Sequence, residues 1–132
     1  MPKWALVAHG GAGVIERKDL RPEQDRAYRA AMAQVAEAGA QVLKAGGSAL
    51  DAVEAAVRML EDDGLFNAGR GAVFTAEGRN ELDASIMDGR TLAAGAVGGV
   101  TRTRNPISLA RGVMERSAHV FLIGEGADHF AR

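Results

Sequence analysis

The side chains that could perform chemistry in this chain lie in a few short segments that are far apart in sequence. His9 precedes two glycines, Ser48 follows two glycines, and Asn67 lies in a glycine-rich segment just after an acidic run at positions 61–63. There is no cysteine, which excludes a thiol nucleophile, disulfide bonds and cysteine-ligated zinc. Each of these segments is compatible with both a catalytic and a structural role.

The His9-Gly10-Gly11 segment follows a short apolar run, as oxyanion loops do in some α/β-hydrolases. Such enzymes also need a Gly-x-Ser-x-Gly elbow, and the sequence around Ser48 lacks the second glycine. Ser48 and Asp51 instead match a helix capping box. A dinucleotide-binding loop is also disfavoured, because Glu16 stands where the third glycine belongs. His9 taken alone is therefore more typical of a structural histidine.

The acidic residues Glu61, Asp62 and Asp63 end a predicted helix, where the partial negative charge of the terminus disfavours them. Their spacing favours a solvated surface cluster over a cation site. The loop at 64–71 could nevertheless turn its carbonyl oxygens inward, and hard cations prefer oxygen ligands. Asn67 is either a turn residue that bonds nearby backbone or a polar group of a site. Both interpretations stay open.

Apolar periodicity and turn residues predict the elements that position these segments. Two antiparallel helices should begin at Pro22 and after Ser48, with Gly46-Gly47 between them. A further helix should begin at Asn105-Pro106, with Asn105 as its N-cap. A last helix should run from Gly124 to Arg132 and, lacking a stop signal, is expected to continue. The predicted strands are Trp4–Ala8, Gly71–Thr75, Glu81–Met87, Leu92–Val100 and His119–Ile123.

This order of elements does not alternate between strand and helix, so a doubly wound sheet is not expected. The expected architecture is therefore a group of strands lying beside layers of helices. Within the third predicted strand, Asp83 is either a buried carboxylate of a site or a satisfied structural one.

Composition limits the possible partners. The 132 residues fit one domain, and 47% of them are apolar. The net charge is −1, with the basic residues scattered, so neither nucleic acid nor an anionic membrane surface is an expected partner. No apolar run approaches the roughly 20 residues that span a bilayer. We therefore expect a cytoplasmic protein.

Six motifs, in their order, resemble the plant-type L-asparaginase/isoaspartyl peptidase family. The resemblance covers nearly the whole chain, and the first motif favours this branch over the related glycosylasparaginases. The motifs are His9-Gly10-Gly11-Ala12-Gly13, Ala49–Val53, Phe66–Gly69, Leu82–Gly89, Ala94–Val97 and Asn105–Ile107.

The resemblance implies an N-terminal-nucleophile hydrolase of the α+β class, a four-layer αββα sandwich of which this chain supplies about half. In that family a precursor cuts itself before a Thr, which becomes the first residue of a β-subunit. The Thr hydroxyl is a weak nucleophile, and the freed α-amine, with a reference pKa of about 7.7–8.0, can serve as its base. Residues 1–132 would be the single-domain α-subunit, inactive alone, within an expected (αβ)₂ heterotetramer.

The resemblance also assigns supporting roles to residues of this chain. Asn67 matches an amide near the nucleophile, and His9, Gly10 and Gly11 match a loop beside the scissile bond. The resemblance implies no catalytic cofactor. It does imply a structural sodium ion. Its ligands would be the main-chain carbonyls of Leu60, Glu61, Asp63, Phe66, Ala68 and Arg70. Gly64 departs from the proline often found at that position.

The complete enzyme would hydrolyse isoaspartyl dipeptides and L-asparagine through a covalent β-aspartyl-Thr ester. A glycosylasparaginase-type amidase is one alternative. Another is a non-catalytic α-like domain that serves binding or assembly.

Overall fold

A computed structural model describes residues 3–11, 16 and 18–132 of the chain. Residues Ala12 and Gly13 of the first motif lie outside this range. The described residues form four α-helices, a three-stranded sheet and one 3₁₀ turn at Gly69–Gly71. The elements are α1 (Pro22–Lys44), α2 (Ala49–Asp62), β1 (Leu82–Met87), β2 (Ala94–Val100), α3 (Pro106–Arg116), β3 (Phe121–Ile123) and α4 (Gly124–Phe130).

The helices α1 and α2 form the predicted antiparallel pair. Pro22 occupies the first turn of α1, and the chain turns through Gly46, whose φ of 84° suits glycine. The Ser48 hydroxyl accepts the Asp51 N–H at 3.1 Å, while the Asp51 carboxylate accepts the Ser48 N–H at 3.1 Å. Ser48 is thus confirmed as a helix cap. Gly39 of α1 lets the helices approach closely, because a Cβ there would lie 3.0 Å from the Ala52 carbonyl oxygen.

The sheet has the order β1-β2-β3, antiparallel between β1 and β2 and parallel between β2 and β3. The predicted Asp88-Gly89 hairpin joins the first pair, where the Asp88 N–H donates to the Ala93 carbonyl at 2.9 Å. The parallel pair requires a crossover, which α3 provides. The strands predicted at 81–87, 92–100 and 119–123 are confirmed, each with slightly shorter bounds.

Among the described residues, helices pack against one face of the sheet. Gly95 of β2 permits the contact, because a Cβ there would lie 2.2 Å from the Ala110 carbonyl oxygen of α3. The opposite face carries exposed side chains, including Met87 and Phe121, at 54% and 57% exposure. The core between sheet and helices consists of Ile86, Val97, Val100, Ile107, Leu109, Ala110, Val113 and Ala127.

Two of the predicted strands are not strands in the structure. Trp4–Ala8 has no ladder partner among the described residues, and a strand exists only through such pairing. In Gly71–Thr75 the backbone bonds elsewhere: the Val73 N–H donates to the Asn67 side chain at 3.0 Å. The Ala72 carbonyl accepts the Asn80 amide at 2.7 Å. The backbone N–H and C=O groups that would pair in a β-ladder are thus hydrogen-bonded to side chains and within a turn.

Asn105 is confirmed as the N-cap position of α3, but the solvated acidic cluster was predicted wrongly, because Glu61 is buried. Asn105 makes no capping bond; its amide donates to Glu61 Oε2 at 3.1 Å and Asp62 Oδ1 at 3.2 Å. Instead, Glu61 Oε1 accepts the Ile107 N–H at 2.9 Å, from a distant part of the chain. The Glu61 side chain is 2% exposed, although Asp62 pairs with the Arg104 guanidinium at 2.9 Å nearer the surface. A tertiary contact therefore overrides the local capping pattern.

The described residues thus form a mixed α/β arrangement with a small sheet. No helix among them is both long and apolar enough to cross a membrane.

Glu61 should give the stability of the protein a specific pH dependence. Burial raises the pKa of Glu61, although its hydrogen bonds from Ile107 and Asn105 oppose the shift. A carboxyl group whose pKa is higher in the folded state contributes most stability below its unfolded pKa of about 4.3. That contribution is lost as the pH rises through the folded value. Urea unfolding from about pH 4 to about pH 7 should therefore show the wild type losing stability relative to Glu61→Gln. A constant difference between the two proteins would contradict this.

Candidate functional site

The fold brings two of the predicted site segments to one cavity of about 900 Å³. The His9–Gly11 loop lines one part of it, and Asn67 lies in the loop that lines another. Side chains of α1 and of the segment before it complete the wall. The full lining is His9, Gly10, Gly11, Leu20, Tyr28, Met32, Leu60, Leu65, Phe66, Asn67 and Ala68.

The His9–Gly11 loop is held by local bonding and by close packing. The Gly11 N–H donates to His9 Nδ1 at 3.3 Å, and Gly11 has a φ of 114°, a conformation that favours glycine. A Cβ on Gly10 would lie 2.8 Å from Met32 Sδ and 3.1 Å from Phe66 Cε1. An alanine at position 10 would therefore require the Met32 and Phe66 side chains to shift.

Asn67 is fixed through one end of its amide. Its Oδ1 accepts the Val73 N–H at 3.0 Å, which confirms that it bonds nearby backbone as a turn residue. In the part of the chain that the structure describes, no group accepts a hydrogen bond from its Nδ2. The side chain is exposed and lines the cavity. The same amide can therefore order the turn and offer donors to a bound group, and this second role stays a prediction.

The loop between α2 and the 3₁₀ turn packs its carbonyl oxygens closely around two glycines. Gly69 has a φ of 47°, and a Cβ there would lie 2.4 Å from the Glu61 carbonyl oxygen. A Cβ on Gly71 would lie 2.2 Å from the Phe66 oxygen, 3.0 Å from that of Gly64 and 3.1 Å from that of Asp63. Three carbonyl oxygens therefore converge on one point beside Gly71.

The carboxylates of this loop have other partners. Glu61 binds the start of α3, and Asp63 Oδ1 accepts the Leu65 N–H at 2.9 Å. Among the described residues, no group of three or more His, Cys, Asp or Glu side chains is arranged to hold a metal ion. The carboxylates of Glu61 and Asp63 are thus bonded to the backbone, and an ion held by main-chain carbonyls stays a prediction.

Sequence analysis did not identify α1 as a contributor to this site. Tyr28 and Met32 are four residues apart, so they share a face of the helix and reach the cavity together. That spacing was the available signal, although it equally describes core-facing residues.

Asp83, a candidate carboxylate in the sequence, has a structural role. Its Oδ1 accepts the Gly99 N–H at 2.8 Å, where the register of β1 and β2 shifts between Leu82 and Ala84. Its side chain is exposed rather than buried. Asp83 and Asn67 line a second cavity of about 450 Å³, beside the first.

Comparison with known proteins agrees with these motifs. A family model described as asparaginase matches residues 2–132. The chain is 53% identical over 131 residues to the isoaspartyl peptidase of Salmonella typhimurium, covering 99% of this chain and 42% of that protein. It is 52% identical over 128 residues to the plant-type L-asparaginase of Pyrococcus abyssi, covering 97% of this chain and 40% of that protein.

A mammalian relative gives the same result. The chain is 50% identical over 126 residues to the isoaspartyl peptidase/L-asparaginase of Rattus norvegicus, covering 96% of this chain and 37% of that protein. The chain therefore spans about two fifths of the length of these relatives. With the family model matching nearly every residue, the chain belongs to the asparaginase family that includes isoaspartyl peptidases and plant-type L-asparaginases.

Proposed function

We propose that this chain is the amino-terminal part, the α-subunit, of an amidohydrolase that cleaves isoaspartyl dipeptides and L-asparagine. The observation that carries the proposal is the meeting of the His9–Gly11 loop and Asn67 at one cavity, in a chain about half identical to isoaspartyl peptidases. The described lining of that cavity contains no Ser, Thr, Cys or Lys side chain. In this proposal the nucleophile lies on another segment of the protein.

A Thr at the start of a β-subunit, released by autoproteolysis of a precursor, would supply it. The free α-amine of that Thr would take the proton from its own hydroxyl, which attacks the substrate amide carbon. The amine or ammonia then leaves, and water releases aspartate from the Thr ester. Asn67 Nδ2 would donate to an oxygen of the Thr or substrate, while the backbone of His9–Gly11 would shape the wall beside it.

The exposed face of the sheet supports a partner chain. Helices cover one face, whereas Met87, Phe121 and Ile123 of the other are 54–64% exposed. Val73 and Phe74, beside the site, are 67% and 71% exposed. Apolar surface of this kind is typically buried in an assembly. A second sheet from the β-subunit would complete a four-layer αββα sandwich, and pairs of such units would form (αβ)₂.

Two other functions remain to be separated by experiment. A glycosylasparaginase-type amidase would cleave GlcNAc-Asn, so assaying the full-length protein on that substrate and on an isoaspartyl dipeptide distinguishes the two activities. A non-catalytic binding or assembly domain would act on neither. Detecting a Thr-led partner chain by intact-mass spectrometry, together with isoaspartyl dipeptide turnover, supports the proposed function against both.

The first prediction concerns assembly. Residues 1–132 produced alone should aggregate or fail to unfold cooperatively, because the free face of the sheet would stay in water. The full-length protein, as the control, should give two chains that copurify as (αβ)₂. Size-exclusion chromatography with light scattering and thermal unfolding measures both properties. A monomeric, soluble and cooperatively folded 1–132 chain would show that the partner is not needed.

The second prediction concerns a sodium ion held by main-chain carbonyls of Leu60, Glu61, Asp63, Phe66, Ala68 and Arg70. Asp63→Asn should leave ion binding nearly intact, because the Asp63 carboxylate already accepts the Leu65 N–H. Gly69→Val should weaken binding strongly, because its φ is 47° and its Cβ would collide with the Glu61 carbonyl. Thermal stability titrated with Na⁺ against a bulky organic cation measures this. Strong loss of the ion in Asp63→Asn would identify the carboxylate as the ligand.

The third prediction concerns Asn67. In the processed enzyme, Asn67→Ala should remove one positioned hydrogen bond, a loss of about 1–3 kcal/mol when its partner stays buried. This corresponds to a decrease in kcat of roughly ten- to hundredfold on isoaspartyl substrates. The melting temperature should fall only slightly, because the turn loses only the hydrogen bond from the Val73 N–H. If Asn67 serves the turn alone, stability will fall modestly and kcat per folded molecule will not change.

A further inference from the structure

The ring of Phe66 is the contact between the two segments of the candidate site. Phe66 is 5% exposed and directly precedes Asn67. Its Cε1 lies 3.1 Å from the point that a Cβ on Gly10 would occupy, and Met32 Sδ lies 2.8 Å from the same point. The glycine loop therefore lies directly against the phenylalanine that precedes Asn67.

Phe66 is restrained from several directions. Its ring and that of Tyr28 of α1 are in a T-shaped arrangement, with centroids 6.1 Å apart and planes inclined by 70°, a preferred aromatic geometry. Its carbonyl oxygen accepts the Ala68 N–H at 2.8 Å and faces Gly71 at close range. A ring held against packed neighbours restrains the backbone of Phe66, and this backbone continues directly into Asn67.

We propose that Phe66, packed on Tyr28 and lying with Met32 against Gly10, is a positioning residue that sets the separation between the glycine loop and Asn67. Its consequence for hydrolysis rests on the proposed function. Phe66 would affect a substrate indirectly. Its ring packs against Gly10, and its backbone is bonded to Asn67. Misplacing a positioned group by about 1 Å can cost as much as a hundredfold in rate. The ring therefore controls turnover more than it controls substrate binding.

The first test replaces Phe66 by Leu in the full-length, processed protein. This change keeps an apolar side chain but removes the ring edge that reaches Gly10 and Tyr28. We expect kcat on an isoaspartyl dipeptide to fall about tenfold, with KM within about twofold. In an Asn67→Ala background, Phe66→Leu should change kcat by less than about twofold, because it acts through Asn67. The same factor in both backgrounds would overturn the proposal.

Phe130→Leu is the matched control. It makes the same chemical change at a partly buried ring that packs against the separate core of the sheet. It should leave kcat per folded molecule unchanged. A loss as large as that of Phe66→Leu would show that the effect is general destabilisation, and would also overturn the proposal.

The second test changes the other residue of the same contact, Gly10. Gly10→Ala would press a methyl group against Met32 and Phe66, and should lower kcat. Adding Met32→Ala makes room for that methyl group and should restore at least half of the lost rate. Gly89→Ala is the control, because a Cβ there meets no atom within 4 Å. If Met32→Ala restores nothing, the packing against Gly10 does not set the geometry.

A third measurement is independent of activity. The Val73 N–H donates to Asn67 Oδ1, and the Gly11 N–H donates to His9 Nδ1, so their exchange with solvent reports on both segments. By NMR of the processed protein, Phe66→Leu should accelerate exchange at both amides at least threefold more than Phe130→Leu. If the wild type hydrolyses no isoaspartyl substrate, the proposed function fails, and this exchange result alone decides whether Phe66 positions the two segments. Equal exchange in the two variants overturns the inference.

Discussion

Glu61 joins the pair of helices α1 and α2 to the layer formed by α3 and the sheet. The loop of the candidate site also begins at its backbone. Its buried carboxylate accepts the Ile107 N–H and the Asn105 amide, so the end of α2 is fixed to the start of α3. Its carbonyl oxygen lies 2.4 Å from the position that a Cβ on Gly69 would occupy. One residue therefore anchors the helical pair to the sheet layer and also fixes the start of the loop that carries Asn67. A buried carboxylate is stable only when it is hydrogen-bonded in this way.

The glycines of this loop follow from that constraint. The chain leaves α2 and returns past its end, so the backbones at Gly69 and Gly71 approach carbonyl oxygens more closely than a side chain permits. Phe66 and Asn67 lie within this compressed segment. The ring is directed into the protein and the amide lies at the surface of the cavity. The same geometry brings carbonyl oxygens of the loop close to both glycines.

The cavity and the exposed sheet face together favour a role within a larger protein. Among the described residues, the cavity lining includes Asn67 but no Ser, Thr, Cys or Lys side chain, and helices pack against one face of the sheet. Members of the family are more than twice as long as this chain. A further part of the protein that supplies both a nucleophile and a cover for the sheet would account for the two observations at once.

The sequence by itself determined the elements whose signals are local. The Pro22 start of α1, the Ser48–Asp51 capping box and the Asp88-Gly89 hairpin each depend on residues within a few positions of one another. The order of motifs was likewise sufficient to identify the family. These features can be predicted without knowing which residues lie close together in the tertiary structure.

Tertiary structure decided the features that depend on distant partners. Glu61 was expected in solvent, yet a helix terminus from another part of the chain binds it. Trp4–Ala8 has the composition of a strand but, within the described residues, no strand to pair with. The contact of Gly10 with Phe66 and Met32 joins three segments that the sequence keeps apart. Pairing, burial and close packing are properties of chain neighbours in space, and periodicity along one segment does not specify them.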